Sequence, residues 1–231
     1  MSKTIEIESF SDFIKQVEQS ANIDNFFMLF RGQSVDKPLL PSIARLNPYE
    51  DTTRKEMLML GELKRRAFNN IDSGKLKDHW DWLVYAQHFG LRTRLLDWST
   101  NPLVALFFAC SDYNNSDSYV YLLIADKAMR LRRNIDKSPF AIGATKILRP
   151  PQNNERIIAQ SGWFTAHAFS KKHEQFISLD LNKKTKNRIK KYVIPRQIKG
   201  DIMKKLYKFG INYQTMFPDL EGLCKQVNWE Y

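Results

Sequence analysis

Two stretches of this sequence hold more polar side chains than a folded core requires. The first is Phe30-Arg31-Gly32-Gln33, where an arginine and a glycine follow the apolar run Phe26-Phe27-Met28-Leu29-Phe30. A guanidinium at the end of a buried strand offers a planar fork suited to a phosphate or a ribose, and the glycine lets the backbone turn closely past it. Read alone, Arg31 is accounted for as one half of an internal ion pair with Asp97. The second stretch runs from Gln87 to Pro102. Its sixteen residues hold one histidine, two arginines, an aspartate, three hydroxyls and two amides. Buried without partners, such groups are costly. Asp97 can fix Arg31 or Arg94, and Ser99, Thr100 and Asn101 can cap the helix that follows. Capping explains one or two of these groups, and a ligand pocket explains the rest better.

The elements that must position these residues are legible from periodicity. Thr4 to Glu8 alternates as a short strand, and Ser9 with Asp12 resembles a capping box that opens a helix to about Ala21. The run from Phe26 to Phe30 is a buried strand with Arg31 and Gly32 at its end. Thr53 with Glu56 reads as a second capping box, for a helix to about Asn70, and a third helix spans roughly Lys77 to Phe89 with Gly90 as its stop. Leu91 to Trp98 is extended. Asn101-Pro102 starts a helix, and Leu103 to Cys110, apolar nearly all round, is buried. Strands are expected at Ser118 to Ala125, Thr145 to Leu148, Trp163 to Phe169, Gln175 to Leu181 and Lys191 to Ile194. A short helix is expected at Asn153 to Gln160, another ending at Phe209 before Gly210, and a last short one from Pro218. Without regular alternation of strand and helix, this pattern predicts α+β, a mixed and mostly antiparallel central sheet with flanking helices.

At 231 residues, without linker or repeat, one domain over 1–231 is expected. Hydrophobic residues at 43% and aromatics at 13% supply a core and exclude disorder. No apolar run approaches the ~20 residues that cross a bilayer, and the N-terminus lacks a signal pattern, so a soluble, cytoplasmic protein without membrane contact is expected. Two cysteines make no disulfide framework, and Cys110 reads as a buried thiol. The four histidines are too scattered for a local zinc signature, and no metal is expected. The net charge of +11 is concentrated in 183–208, where eleven Lys and Arg face one acid, Asp201. Such a run attracts polyanions, or is simply a solvated face.

Several blocks together resemble the FRG domain family: Phe30-Arg31-Gly32-Gln33; Gln87-His88-Phe89-Gly90; Thr93 to Trp98; Asn101-Pro102 and Ala105; Arg156; Gln160 to Thr165; Ile194-Pro195; and Gly210-Ile211 with Met216 to Leu223. They fall in the expected order over about 26–223. The resemblance implies an ADP-ribosyltransferase-like fold, and effectors of bacterial toxin–antitoxin or phage-defence loci. By the same resemblance Arg31 holds the nicotinamide dinucleotide, Thr93 to Asn101 line its pocket, and a later acid stabilises the oxocarbenium-like transition state.

The resulting expectation is an NAD-dependent ADP-ribosyltransferase toxin with NAD as substrate. Arg31, Asp97, Gln160 and Glu221 are its expected catalytic residues. Arg31, Gln33, His88, Thr93, Arg94, Ser99 and Asn101 are expected to bind the dinucleotide, with His88 stacking on a ring or orienting Asp97. Glu155 and Glu174 are further acids for the unfilled third role, each also explained by a helix dipole or a strand start. The basic 183–208 region points to a nucleic acid acceptor, RNA rather than duplex DNA, and a toxic enzyme implies a neutralising antitoxin protein. The alternative is a non-catalytic nucleotide- or nucleic-acid-recognition domain with Arg31 and Arg94 as anion contacts. A metal-dependent nuclease would need clustered carboxylates, and these are scattered.

Overall fold

The computed structural model describes residues 3–21, 27–67, 76–112, 114–152 and 154–231. In chain order they form β1 (Lys3–Glu6), α1 (Phe10–Ala21), β2 (Phe27–Gln33), α2 (Thr53–Arg66), α3 (His79–His88), β3 (Leu95–Ser99) and α4 (Pro102–Cys110). Then follow β4 (Ser118–Ala125), β5 (Lys146–Leu148), α5 (Glu155–Ala159), β6 (Gly162–Ala166), β7 (Phe169–Ser170), β8 (Gln175–Phe176), β9 (Ile189–Ile194), α6 (Lys199–Lys208), α7 (Tyr213–Met216) and α8 (Leu220–Glu230). Phe26, Asn70 and Asn153, where three expected elements begin or end, lie outside the described residues.

Seven strands form one sheet in the order β1-β9-β4-β2-β3-β6-β5. Only β1 with β9 is parallel; the other pairs are antiparallel, as expected for an α+β chain. One face carries two apolar clusters. Phe30, Val120, Leu122 and Tyr192 pack under α1, α4 and α6, while Leu95, Leu148 and Phe164 pack under α2, α3 and α5. The period-two alternation of strands sends Leu29, Leu96, Trp98 and Leu123 to the other face, where Leu39 and Leu179 cover them.

Local chemistry sets most boundaries. Gly90 and Gly210 take φ of 87° and 76° and end α3 and α6. At each, the glycine N–H bonds to Gln87 or Tyr207, and the next N–H bonds to Ala86 or Leu206, the paired bonds of a Schellman stop. Asn101 caps α4 by accepting from Leu103 N–H at 2.9 Å, with Pro102 in the first turn.

Several expectations change, and the strand expected from Gln175 to Leu181 shortens to β8 (Gln175–Phe176). β2 continues through Gln33, because β4 pairs with it along seven residues, so Arg31 and Gly32 lie inside the strand. The Thr53–Glu56 capping box does not form, because Glu56 is buried against Arg94. The strand expected from Trp163 to Phe169 breaks at His167, and β7 turns into a separate two-stranded hairpin with β8. The last helix is α8, eleven residues long, capped by Asp219 rather than started by Pro218.

Candidate functional site

The two polar stretches converge where the sheet opens. β2 and β3 share a single residue pair, Phe30 with Ser99, and diverge beyond it. Strands that part leave main-chain groups unpaired. Here Arg31 Nη1 donates to the Asp97 carbonyl oxygen at 2.8 Å and supplies the bond that a neighbouring strand would otherwise make. The guanidinium lies 3.7 Å from the Asp97 carboxylate, and its Nε is buried with no hydrogen-bond partner. Burial lowers its pKa to about 10, so Arg31 remains cationic at neutral pH.

Gly32 explains why the strand carries a glycine at this point. A Cβ there would lie 1.9 Å from the Ala105 carbonyl oxygen and 2.6 Å from the Ala109 nitrogen, so α4 rests directly on the β2 backbone. That contact fixes the strand, and the alternation then turns Arg31 away from α4.

A cleft of about 480 Å³ occupies the opening, a size typical of small-ligand sites. Arg31, Lys37, Arg45 and Arg156 line it, with Asp97 the single carboxylate lining it among the described residues. Gln33, Gln87, His88, Ser99 and Gln160 add polar groups, and Trp98, Phe108 and Phe217 add apolar surface. A smaller pocket of about 60 Å³ adjoins it and shares Gln87, His88, Asp97, Arg156 and Gln160. Four cations against one anion suit a ligand carrying negative charge.

Among the predicted residues, Arg31, Gln33, His88, Asp97, Ser99 and Gln160 therefore come together. Burial lowers the His88 pKa, with Arg156 acting in the same direction, so its ring is neutral at pH 7. Ser99 Oγ donates to the Gln160 carbonyl at 2.7 Å, and the Gln160 amide donates to Met216 O at 3.0 Å, so both are tied to the wall they form.

The other expected residues serve the frame. Arg94 is 1% exposed and does not line the cleft; its Nε bonds to Glu56 at 2.7 Å, and its other nitrogens to Pro139 O and Thr53 Oγ1. Burial pushes the Glu56 pKa up, opposed by Arg94. Asn101 is occupied as a cap, and Thr93 is buried behind Gln87. Glu221 is exposed and pairs with Lys225 at 2.6 Å and Arg156 at 3.6 Å. Glu155 and Glu174 are exposed and outside the cleft lining.

Lys37 and Arg45 carried no sequence signal, because each is a lone cation in a loop. Arg156 stood in a resemblance block without a role; it pairs with Asp219 and lies over the Phe217 ring at 5.3 Å.

Taken together, this is an α+β protein with a cationic cleft at a split in its sheet. The FRG domain family model matches residues 27–118, a stretch that includes β2, α3, β3 and α4. No significant match was found among curated proteins or among solved structures.

Proposed function

We propose that the chain is an NAD-dependent ADP-ribosyltransferase that modifies RNA or another nucleic acid as a toxin of a bacterial toxin–antitoxin or anti-phage defence system. The observation that carries this reading is a cleft with four cations and a single carboxylate, built where β2 and β3 part. Arg31, Arg45, Lys37 and Arg156 suit the diphosphate of a dinucleotide, and the neutral His88 ring suits stacking on one of its bases. Asp97 takes the role sought for a later glutamate. In the reaction the C1′–N bond breaks and nicotinamide leaves with the electron pair. The Asp97 carboxylate offsets the positive charge growing on the ribose. The acceptor nucleophile bonds to C1′ and releases its proton. An ADP-ribosyltransferase-like architecture, a nucleic acid partner held by 183–208 and a neutralising antitoxin protein belong to the same proposal.

A second reading, nucleotide recognition without catalysis, is favoured by one observation. Asp97 is already bonded by Gln87 and Arg31, while Glu155, Glu174 and Glu221 lie outside the cleft lining. Incubation of the protein with labelled NAD and total RNA or lysate separates the two. Transfer of label with release of nicotinamide, lost in Arg31→Ala that still folds, is the expected result. Tight NAD binding without nicotinamide release under any acceptor would leave only recognition.

A further inference from the structure

Behind Asp97 runs a chain of hydrogen bonds with one workable polarity. The Leu95 N–H donates to Thr93 Oγ1 at 3.1 Å and occupies a lone pair of that hydroxyl. The Thr93 hydroxyl donates its proton to Gln87 Oε1. Gln87 Nε2 then donates to Asp97 Oδ1 at 2.8 Å. Turning the Gln87 amide over would face its carbonyl oxygen to the carboxylate and leave the Thr93 proton without an acceptor. Thr93 is fully buried, and its main chain is held in turn by the Ser42 hydroxyl. Asp97, by contrast, has a side chain 60% exposed and lines both the cleft and the small adjoining pocket.

From this geometry we infer that Thr93 and Gln87 are positioning residues that hold Asp97 as a hydrogen-bond acceptor on the wall between the two cavities. The role rests on the transferase reading, in which Asp97 faces the ribose. Gln87 fixes Oδ1, and Oδ2 stays directed to Arg31 and the cleft. Arg31 on β2, His88 on α3 and Arg156 on α5 are the other charged or titratable groups at this wall. Of the two predicted binding residues that do not line the cleft on β3 and its approach, Thr93 thus acts on the site indirectly, whereas Arg94 braces α2.

The test compares kcat and KM for nicotinamide release in Thr93→Val, Thr93→Ser, Asp97→Asn and the Thr93→Val/Asp97→Asn double variant. Thr93→Val is expected to lower kcat about tenfold or more with KM within about twofold, the pattern of a lost transition-state interaction. Thr93→Ser, which keeps the hydroxyl, should recover most of that rate. The double variant should be no slower than Asp97→Asn alone, because the two act as one unit. Additive losses, or a Thr93→Ser variant as slow as Thr93→Val, would overturn the inference. If the wild type releases no nicotinamide, the transferase reading fails, and the relay is read from the Gln87 side-chain amide resonances. Those resonances should shift in both Thr93→Val and Asp97→Asn and stay near wild type in Thr93→Ser. Unchanged resonances in Thr93→Val refute the relay independently.

Discussion

His167 is almost fully buried, with Nε2 3.0 Å from Thr165 Oγ1 and Nδ1 without a partner. Burial, with Arg31 and Arg94 nearby, lowers its pKa to about 3. The unfolded chain takes up a proton near the ordinary value of about 6.5, and the folded chain does not until about 3. Stability therefore falls as pH drops through that window, by up to about 1.4 kcal/mol per pH unit from this one group. Denaturation midpoints between pH 6.5 and 5, above the range where most carboxylates titrate, should show that slope, and His167→Gln should flatten it. An unchanged slope would assign the acid sensitivity elsewhere. Burial of this kind is poorly legible from sequence at single residues. Arg94 looked like an anion contact because it stands in a polar run, but its partner Glu56 lies 38 residues away and was itself explained as a cap. A charge pair formed between α2 and the approach to β3 leaves no local pattern.

Elements were more legible than side chains, for the same reason in reverse. The apolar run of α4, its Asn-Pro start, the glycine stops of α3 and α6, and the core strand β4 are all written locally. The length of β2 is not, because its last three residues are strand only through pairing with β4. The contact of α4 on Gly32 belongs to this scale. Gly32→Ala sets a methyl group against the helix backbone, which no rotamer change relieves. Overpacking of this sort costs about 1–3 kcal/mol and occasionally more. The denaturant midpoint should fall accordingly, and Arg31 should shift with its strand, so NAD affinity should fall as well. A variant of wild-type stability would mean that α4 moves away freely.

For the whole molecule, the cleft is assembled from loops, β2, β3, α3, α4, α5 and the approach to α8, segments far apart in sequence. Its polar half was visible in two motifs, and its other cations were not. The basic run tells a similar story. Lys199 is buried and donates to Asp112 O at 2.7 Å, Lys191 pairs with Asp36, and Arg188 bonds to Asp126 at 2.9 Å. Part of the charge read as a polyanion surface is thus used inside the fold. NAD at about a hundred times its Kd should stabilise the chain by about 2.7 kcal/mol. For a chain of this size that is a rise of roughly 5–10 °C in Tm. The rise should shrink with added salt and vanish in Arg31→Ala. No shift with NAD would remove the dinucleotide from the cleft.

The parting of β2 from β3 also has a mechanical side. Every other neighbouring pair in the main sheet shares at least three residue pairs, and this one shares one, reinforced by Arg31 reaching the Asp97 carbonyl. Tension across the sheet therefore concentrates on a seam closed by one residue pair and the Arg31 side chain, which also lines the cleft. A bound molecule that draws Arg31 off that carbonyl would loosen the seam unless it also bridges to β3. Occupancy and stiffness are joined at one guanidinium, so a ligand in the cleft acts as a second rivet or as a wedge.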